Sequence, residues 1–392
     1  MVFWKKTIYR FLIAVMFSTL NLAYGVDINW SANIRYRLKT DTSEDVNEGV
    51  FSSFSETRSR LGLNLIGTKV SGHFIIQDSR IVGAPENSSG ITSFTPGVFF
   101  YQAYFKLGTD TRYLKFGRFE LAFGNQRILA KNNWNNIGRS FEGVLYHTKT
   151  PFLKGDVALF SLQIVESYEE EHNDEKDDIL NGIYFRVPLS SVGDKSALEP
   201  YAHHYQDNDP KQSYNLYGSR FNIERNSFML EAEVGIQNSN SISANMLSIN
   251  LGYKPKKEGW FKNIILGTDR VSGDDIGSEK QEGFSKYFGA RHKHHGYYDY
   301  KFHKKFFGHD HEGLQEINLK SNINFFWKTN VLIAIHNFNN GKGNVHFGNE
   351  LDVVFKNKFE NGVSSEVGLV FYNSSIDDEI LPFYYFMITI DM

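Results

Sequence analysis

The sequence predicts an all-β protein: a transmembrane antiparallel β-barrel, most simply of 18 strands, with long extracellular loops. Three observations predict it. Polar and apolar residues alternate one by one from residue 26 to the end, and short and long connections broadly alternate along the chain. Aromatic residues gather at strand ends, most densely in the last segment, FYYFMITIDM at 383–392. Composition agrees. The 392 residues are 41% hydrophobic and 22% charged, with 34 Phe, 21 Tyr and only 8 Pro, too apolar for a disordered chain. A mean hydropathy of −0.39 excludes a bundle of membrane helices but admits a barrel, whose strands are polar at every second residue. The absence of cysteine excludes disulfide staples, thiolate metal centres and thiol catalysis. A formal charge of −3 lacks the basic excess of a nucleic-acid binder, so no nucleic-acid partner is expected.

Residues 1–25 read as a secretory signal. Lys5, Lys6 and Arg10 precede an apolar run at 11–22, and Ala23 and Gly25 place small residues where a signal peptidase cuts, after Gly25. The run is too short for a membrane anchor, which needs ~20 residues. No cysteine follows it to carry a lipid. The remainder, 26–392, has no linker, repeat or low-complexity tract and reads as one domain, directed to the bacterial outer membrane.

The first strand is VDINWSANIRYRLK at 26–39. Val26, Ile28, Trp30, Ala32, Ile34, Tyr36 and Leu38 fall on one face, and Arg35, Arg37 and Lys39 on the other. Only a strand turns a period of two into two faces. Phe228, Val234 and Ile236 likewise oppose Glu231 and Glu233; Ile317 and Leu319 oppose Glu316, Asn318 and Lys320; Val367 and Leu369 oppose Glu366 and Gly368. About eighteen such segments recur, at roughly 20 residues per strand and connection. Turns are expected at 67–69, 224–227 and 357–362, and long polar loops at 40–52, 81–96, 120–140, 166–178 and 271–312. A soluble β-sandwich also alternates. Against it stand polar faces that mix small and charged residues, as a wet lumen requires, and aromatic clusters at strand ends, as an interfacial girdle requires.

Arginines recur on the polar faces: Arg35 and Arg37 on the first strand, Arg58 and Arg60 on the second, then Arg186 and Arg220. A charge facing lipid at mid-membrane costs ~2–4 kcal/mol, so these are expected to point into the lumen. Guanidinium binds carboxylates bidentately, and a wall so lined favours carboxylate anions. The alternative reading is that the arginines brace the wall by pairing with lumen acids such as Glu56, Glu350, Asp352 and Glu366.

Residues 113–144 hold Gly117-Arg118, Gly124-Asn125-Gln126-Arg127, Asn133-Trp134-Asn135-Asn136 and Gly138-Arg139-Ser140-Phe141-Glu142-Gly143. With Glu56 to Gly62, Gln77 to Arg80, and Gly289, His292, Gly296 and Asp299 downstream, this series resembles the alginate export family of outer-membrane proteins, in matching order over essentially the whole chain after residue 25. The resemblance implies an 18-stranded monomeric barrel that passes an anionic, uronate-type polysaccharide or oligosaccharide, with an arginine-rich constriction and gating loops. It also implies contact with outer-membrane lipid and periplasmic export partners, and it adds Arg118, Arg127 and Arg139 to the expected substrate path. The motif glycines Gly117, Gly124, Gly138 and Gly143, with Asn133, Trp134 and Phe141, are expected to fold a long loop back into the barrel, with Trp134 as its packing anchor.

Other chemistry is weaker. Six of 13 histidines lie at 292, 294, 295, 303, 309 and 311, and His309-Asp310-His311 offers metal-type ligands, but the spacing matches no closed zinc pattern and lysines crowd it; a solvated loop is expected, without metal. The acidic run at 169–178 lacks an EF-hand glycine and reads as solvated. No hydrolase elbow or paired-histidine zinc motif occurs, and carboxylate pairs such as Glu231/Glu233 recur too generally to single out a glycosidase. The expected function is therefore a cofactor-free, non-enzymatic channel for an anionic glycan. The alternatives are a general small-anion or sugar porin of the same fold and, last, a barrel hydrolase.

Overall fold

The computed structural model describes residues 25–41, 52–83, 97–151, 154–164, 178–193, 195–208, 211–257, 259–275, 277–298, 306–375 and 378–392. Residues 1–24 of the signal segment, the loops at 42–51 and 84–96, the acidic run before Asp178, and Asp299 and His303 lie outside them.

Eighteen strands form in chain order. They are β1 (Asp27–Asp41), β2 (Ser52–Ile66), β3 (Val70–Val82), β4 (Phe99–Gly108), β5 (Arg112–Phe119) and β6 (Phe141–Thr150). Next come β7 (Gly155–Ile164), β8 (Asp178–Pro188), β9 (Ala197–Asn208), β10 (Lys211–Arg225), β11 (Phe228–Asn238) and β12 (Ser243–Tyr253). The last six are β13 (Phe261–Val271), β14 (Leu314–Asn324), β15 (Asn330–Asn339), β16 (His346–Lys358), β17 (Val363–Ser374) and β18 (Glu379–Asp391). Each pairs antiparallel with its chain neighbours, and β1 pairs with both β2 and β18. The sheet is thus a closed 18-stranded barrel without an edge, as the hydrocarbon core demands of any strand structure that spans it.

The alternation sorts as expected. On β1, Trp30, Ile34, Tyr36 and Leu38 are exposed on the outer surface, whereas Arg35, Arg37 and Lys39 are at most 4% exposed and point inward. On β11, Phe228, Val234 and Ile236 face out and Glu231, Glu233 and Gln237 face in. Turn chemistry follows the sequence too. Asn226 and Asn361 take φ of 57° and 61° in tight connections, the latter followed by Gly362 at 76°, a backbone that Asn and Gly tolerate and that matches strand twist.

Short connections (67–69, 109–111, 226–227, 359–362) share one end, the periplasmic end of an outer-membrane barrel. From the other end the connection 120–140 and the described parts of a second, 272–275, 277–298 and 306–313, enter the barrel, where Ile128, Leu129, Phe284, Phe306 and Phe307 are buried against inward residues such as Phe160, Leu180, Leu216 and Phe338. The core is therefore a plug inside the cylinder.

Candidate functional site

The inward arginines of β1 and β2 form one wall. Arg37 donates to Glu56 through Nε at 2.7 Å and through Nη2, and Lys39 Nζ donates to the other carboxylate oxygen at 3.0 Å. Arg35 and Arg58 meet no carboxylate among the described residues. Arg35 donates to the carbonyls of Asn133 and Asn135 at 2.7 and 2.9 Å, and Arg58 to the Asn133 carbonyl at 3.2 Å and to Asn33. Arg60 donates to Gln77 Oε1 at 2.6 Å and to Asn133 Oδ1 at 3.2 Å, lies 3.7 Å from the Tyr101 ring centroid, and approaches Glu120 at 3.9 Å. The five cations of this wall thus stand beside two carboxylates, Glu56 and Glu120, and Glu120 is also approached at 3.7 Å by Lys131 of the loop. The Nε atoms of Arg35 and Arg58 are buried without a hydrogen-bond partner. An excess of positive charge is confined there in low dielectric, where each charge acts most strongly.

The loop at 120–140 seats on this wall through the motif predicted to anchor it. Trp134 stacks on His292 (centroids 3.7 Å, 16°), packs edge-on against Tyr385 at 5.0 Å, and carries the Arg37 guanidinium at 4.2 Å on its ring. Asn136 donates to the carbonyls of Thr57 and Arg80 at 3.3 and 3.2 Å. Gly138 is required by close approach: a Cβ there would lie 2.5 Å from the Tyr101 hydroxyl and 2.8 Å from Arg60 Nη2. Gly124 lines a small space with Phe123, Tyr201 and Arg220. Gly117 and Gly143 belong to the strands rather than the loop and face each other across β5 and β6. Phe141 is buried edge-on to Phe288 at 5.3 Å.

The remaining expected arginines fall into different places. Arg186 and Arg220 face the lumen on the far wall; Arg220 pairs with Glu199 at 2.6 Å and with Glu231, and Arg186 with Glu199 at 3.4 Å. Arg127 reaches the wall at Asp269, 2.7 Å away, and both are buried. Its charge is held on: burial opposes it, but Asp269 and the nearby Glu233 and Glu231 raise its pKa. Arg139 donates to the Phe288 and Ala130 carbonyls and holds the two plug loops together. Arg118 corrects the expectation. It shares the outer face of β5 with Leu114 and Phe116 and pairs at 3.2 Å with Glu142 directly across on β6, because its position in the alternation is that of the lipid-side residues.

Sequence reasoning missed the second plug loop. Leu129 forms a parallel bridge with Phe288, the Ala130 amide donates to Phe288 O at 3.0 Å, and the Ala290 amide to Gln126 O at 2.8 Å. The histidines expected in a solvated loop are divided: His292, His294 and His295 are buried in the plug. His295 Nδ1 donates to Glu316 at 2.5 Å, while Lys286 Nζ donates to Nε2 at 2.6 Å. A ring that accepts from an ammonium is neutral, and burial, with Lys286, holds His295 down to about 3. Asp269, His295 and Glu316 bring ligand-type atoms within 4.8 Å of one another. Arg127 on Asp269 and Lys286 on His295 already fill the cationic positions, so the group is a hydrogen-bonded ion network. The signs in the sequence were the density of histidine and the family-like Gly289, His292 and Gly296.

Residues 78–374 match the family described as alginate export. No curated protein sequence matches the chain. Among solved structures, OccAB4 of Acinetobacter baumannii superposes with a TM-score of 0.65 at 12% identity, covering 93% of this chain and 98% of that one. A BenF-like porin from Pseudomonas fluorescens Pf-5 gives 0.66 at 10% identity over 93% and 98%. Pseudomonas aeruginosa OccK2 (OpdF), solved in complex with glucuronate, gives 0.61 at 11% over 93% and 96%. At these identities the likeness is one of fold.

Proposed function

Because the chain belongs to the alginate export family and is an outer-membrane barrel channel, we propose that it passes anionic, uronate-type glycans through the arginine wall of β1 and β2. One observation carries the reading: Arg35 and Arg58 are buried with neutral carbonyl partners, and their Nε atoms have none. Asn133 and Asn135 carbonyls satisfy the donors but not the charge. A sugar carboxylate reaching this wall exchanges a neutral acceptor for an ionised one and can take a guanidinium bidentately, so that it balances the charge as well as the donors. Arg60 extends this wall, whereas Arg186, Arg220 and Arg127 stand as ion pairs with Glu199, Glu231 and Asp269, where a passing carboxylate competes with the acid already there. Affinity is spread over several weak contacts so that the ligand also leaves. Nothing in this reading calls for a cofactor or a catalytic step. Residues 1–25 act as the secretory signal, and the barrel works as a monomer in outer-membrane lipid, with export components on the periplasmic side where the cargo is polymeric.

A second reading is a porin for single uronate-sized anions. It is favoured by the two plug loops, joined across the lumen at Leu129 and Phe288, which leave little room for a polymer. Block of single-channel conductance separates the two. Oligouronates that occlude the channel at millimolar concentration support glycan passage. Block by monomeric glucuronate alone supports the porin, and block by neither refutes both.

A further inference from the structure

The periplasmic rim is uneven, and its uneven side has the composition of a lipid-binding surface. Four consecutive turns, from β10–β11 to β16–β17, are joined edge to edge. Lys256 Nζ donates to Asn226 Oδ1 at 3.1 Å, the Asn324 side chain donates to the Gly259 carbonyl at 3.1 Å, and Thr329 Oγ1 donates to Asn357 Oδ1 at 2.7 Å. This arc carries large exposed aromatics: Trp260 is 71% exposed, Phe326 70%, Trp327 96% and Phe359 57%. Trp327 holds its place at the tip of a turn with φ of 54°, a conformation unusual for a bulky residue. Between the aromatics stand the exposed lysines Lys254, Lys256, Lys257 and Lys262, none of which meets a carboxylate among the described residues. Lys262 shares the outward face of β13 with Ile264 and Leu266, so its stem runs along the lipid-facing surface toward the rim. On the rest of the ring, the turns at 67–69, 109–111 and 189–196 contain no aromatic residue and the sequence of the turn at 151–154 contains one, Phe152, against the four exposed on the arc.

We propose that this arc is a binding surface for anionic phospholipid headgroups of the inner leaflet. Amphipathic rings settle at the headgroup level, and lysines beside them attract negative lipid. The patch is continuous with the apolar outer face of β11 to β16, which lipid already covers, and this favours a membrane occupant over a soluble protein. The unequal rim seats one side of the barrel more firmly than the other and fixes its orientation in the bilayer.

The test uses the full-length folded barrel in native mass spectrometry, with phosphatidylglycerol and phosphatidylcholine offered together. The wild type should retain phosphatidylglycerol preferentially. Simultaneous Lys254→Gln, Lys256→Gln, Lys257→Gln and Lys262→Gln should abolish the preference, at about fivefold per lysine, without changing channel conductance. Brominated phosphatidylglycerol should quench tryptophan fluorescence less in Trp327→Phe, which keeps the ring's bulk. Equal retention of the two lipids by the wild type, or an undiminished preference in the lysine variant, overturns the proposal. So does binding of soluble polyglutamate to the wild type without lipid preference, which identifies a protein dock instead.

Discussion

The guanidinium of Arg37 lies 4.2 Å from the centroid of the Trp134 ring, whose other neighbours include the stacked His292 imidazole at 3.7 Å. A wall residue, a residue of the first plug loop and a residue of the second are joined in one stack. Trp134→Ala removes it, and the loss of stacking and cation–π contact should weaken docking of both loops by about 1–3 kcal/mol. Hydrogen exchange across 120–140 and 284–298 reads this directly. Protection should fall in both loops together, and a fall in the first alone contradicts the coupling.

The buried pair of Arg127 and Asp269 and the outer pair of Arg118 and Glu142 make an internal comparison. Asp269→Asn leaves a buried guanidinium uncompensated and should cost about 3–5 kcal/mol. Glu142→Gln leaves Arg118 unpaired on the lipid-side face, where a lone cation costs about 2–4 kcal/mol at mid-membrane and less toward the interface. Denaturant unfolding in detergent measures both, and an Asp269→Asn cost under about 1 kcal/mol contradicts the burial of Arg127 against Asp269.

Acid should release the plug. His295 has a pKa of about 3 when docked, against about 6.5 when free. The released loop therefore binds more protons than the docked one between those values, so docking is fully stable above about pH 6.5 and weakens as pH falls toward 3. His294, also held down by burial, acts in the same direction. Flicker between closed and open levels should rise as pH falls below about 6 from its level near pH 7. A rise at alkaline pH contradicts the assignment of a neutral His295.

The barrel was legible because lipid and water impose opposite demands on successive residues. Val26 to Lys39 already sorted Trp30 from Arg35, and Asn361-Gly362 already marked a tight turn. Trp134 was legible as an anchor because a large apolar ring in a long polar loop gains most by being buried where the loop folds back. Arg118 was not, since a family motif records sequence order and the face depends on the strand's register; one residue decides lipid or lumen. The pairing of Leu129 with Phe288 was beyond reach for another reason. It joins segments far apart in the chain, and neither carries a local pattern that names its partner. The burial of His292, His294 and His295 follows from that pairing and was hidden with it.

Ion selectivity in planar bilayers tests the central claim, that uncompensated guanidinium charge on the β1–β2 wall governs passage. Under a potassium chloride gradient the wild type should show an anion-selective reversal potential, and Arg58→Glu with Arg60→Glu should shift it toward cations. A cation-selective wild type, or a reversal potential unmoved by the double substitution, contradicts the account.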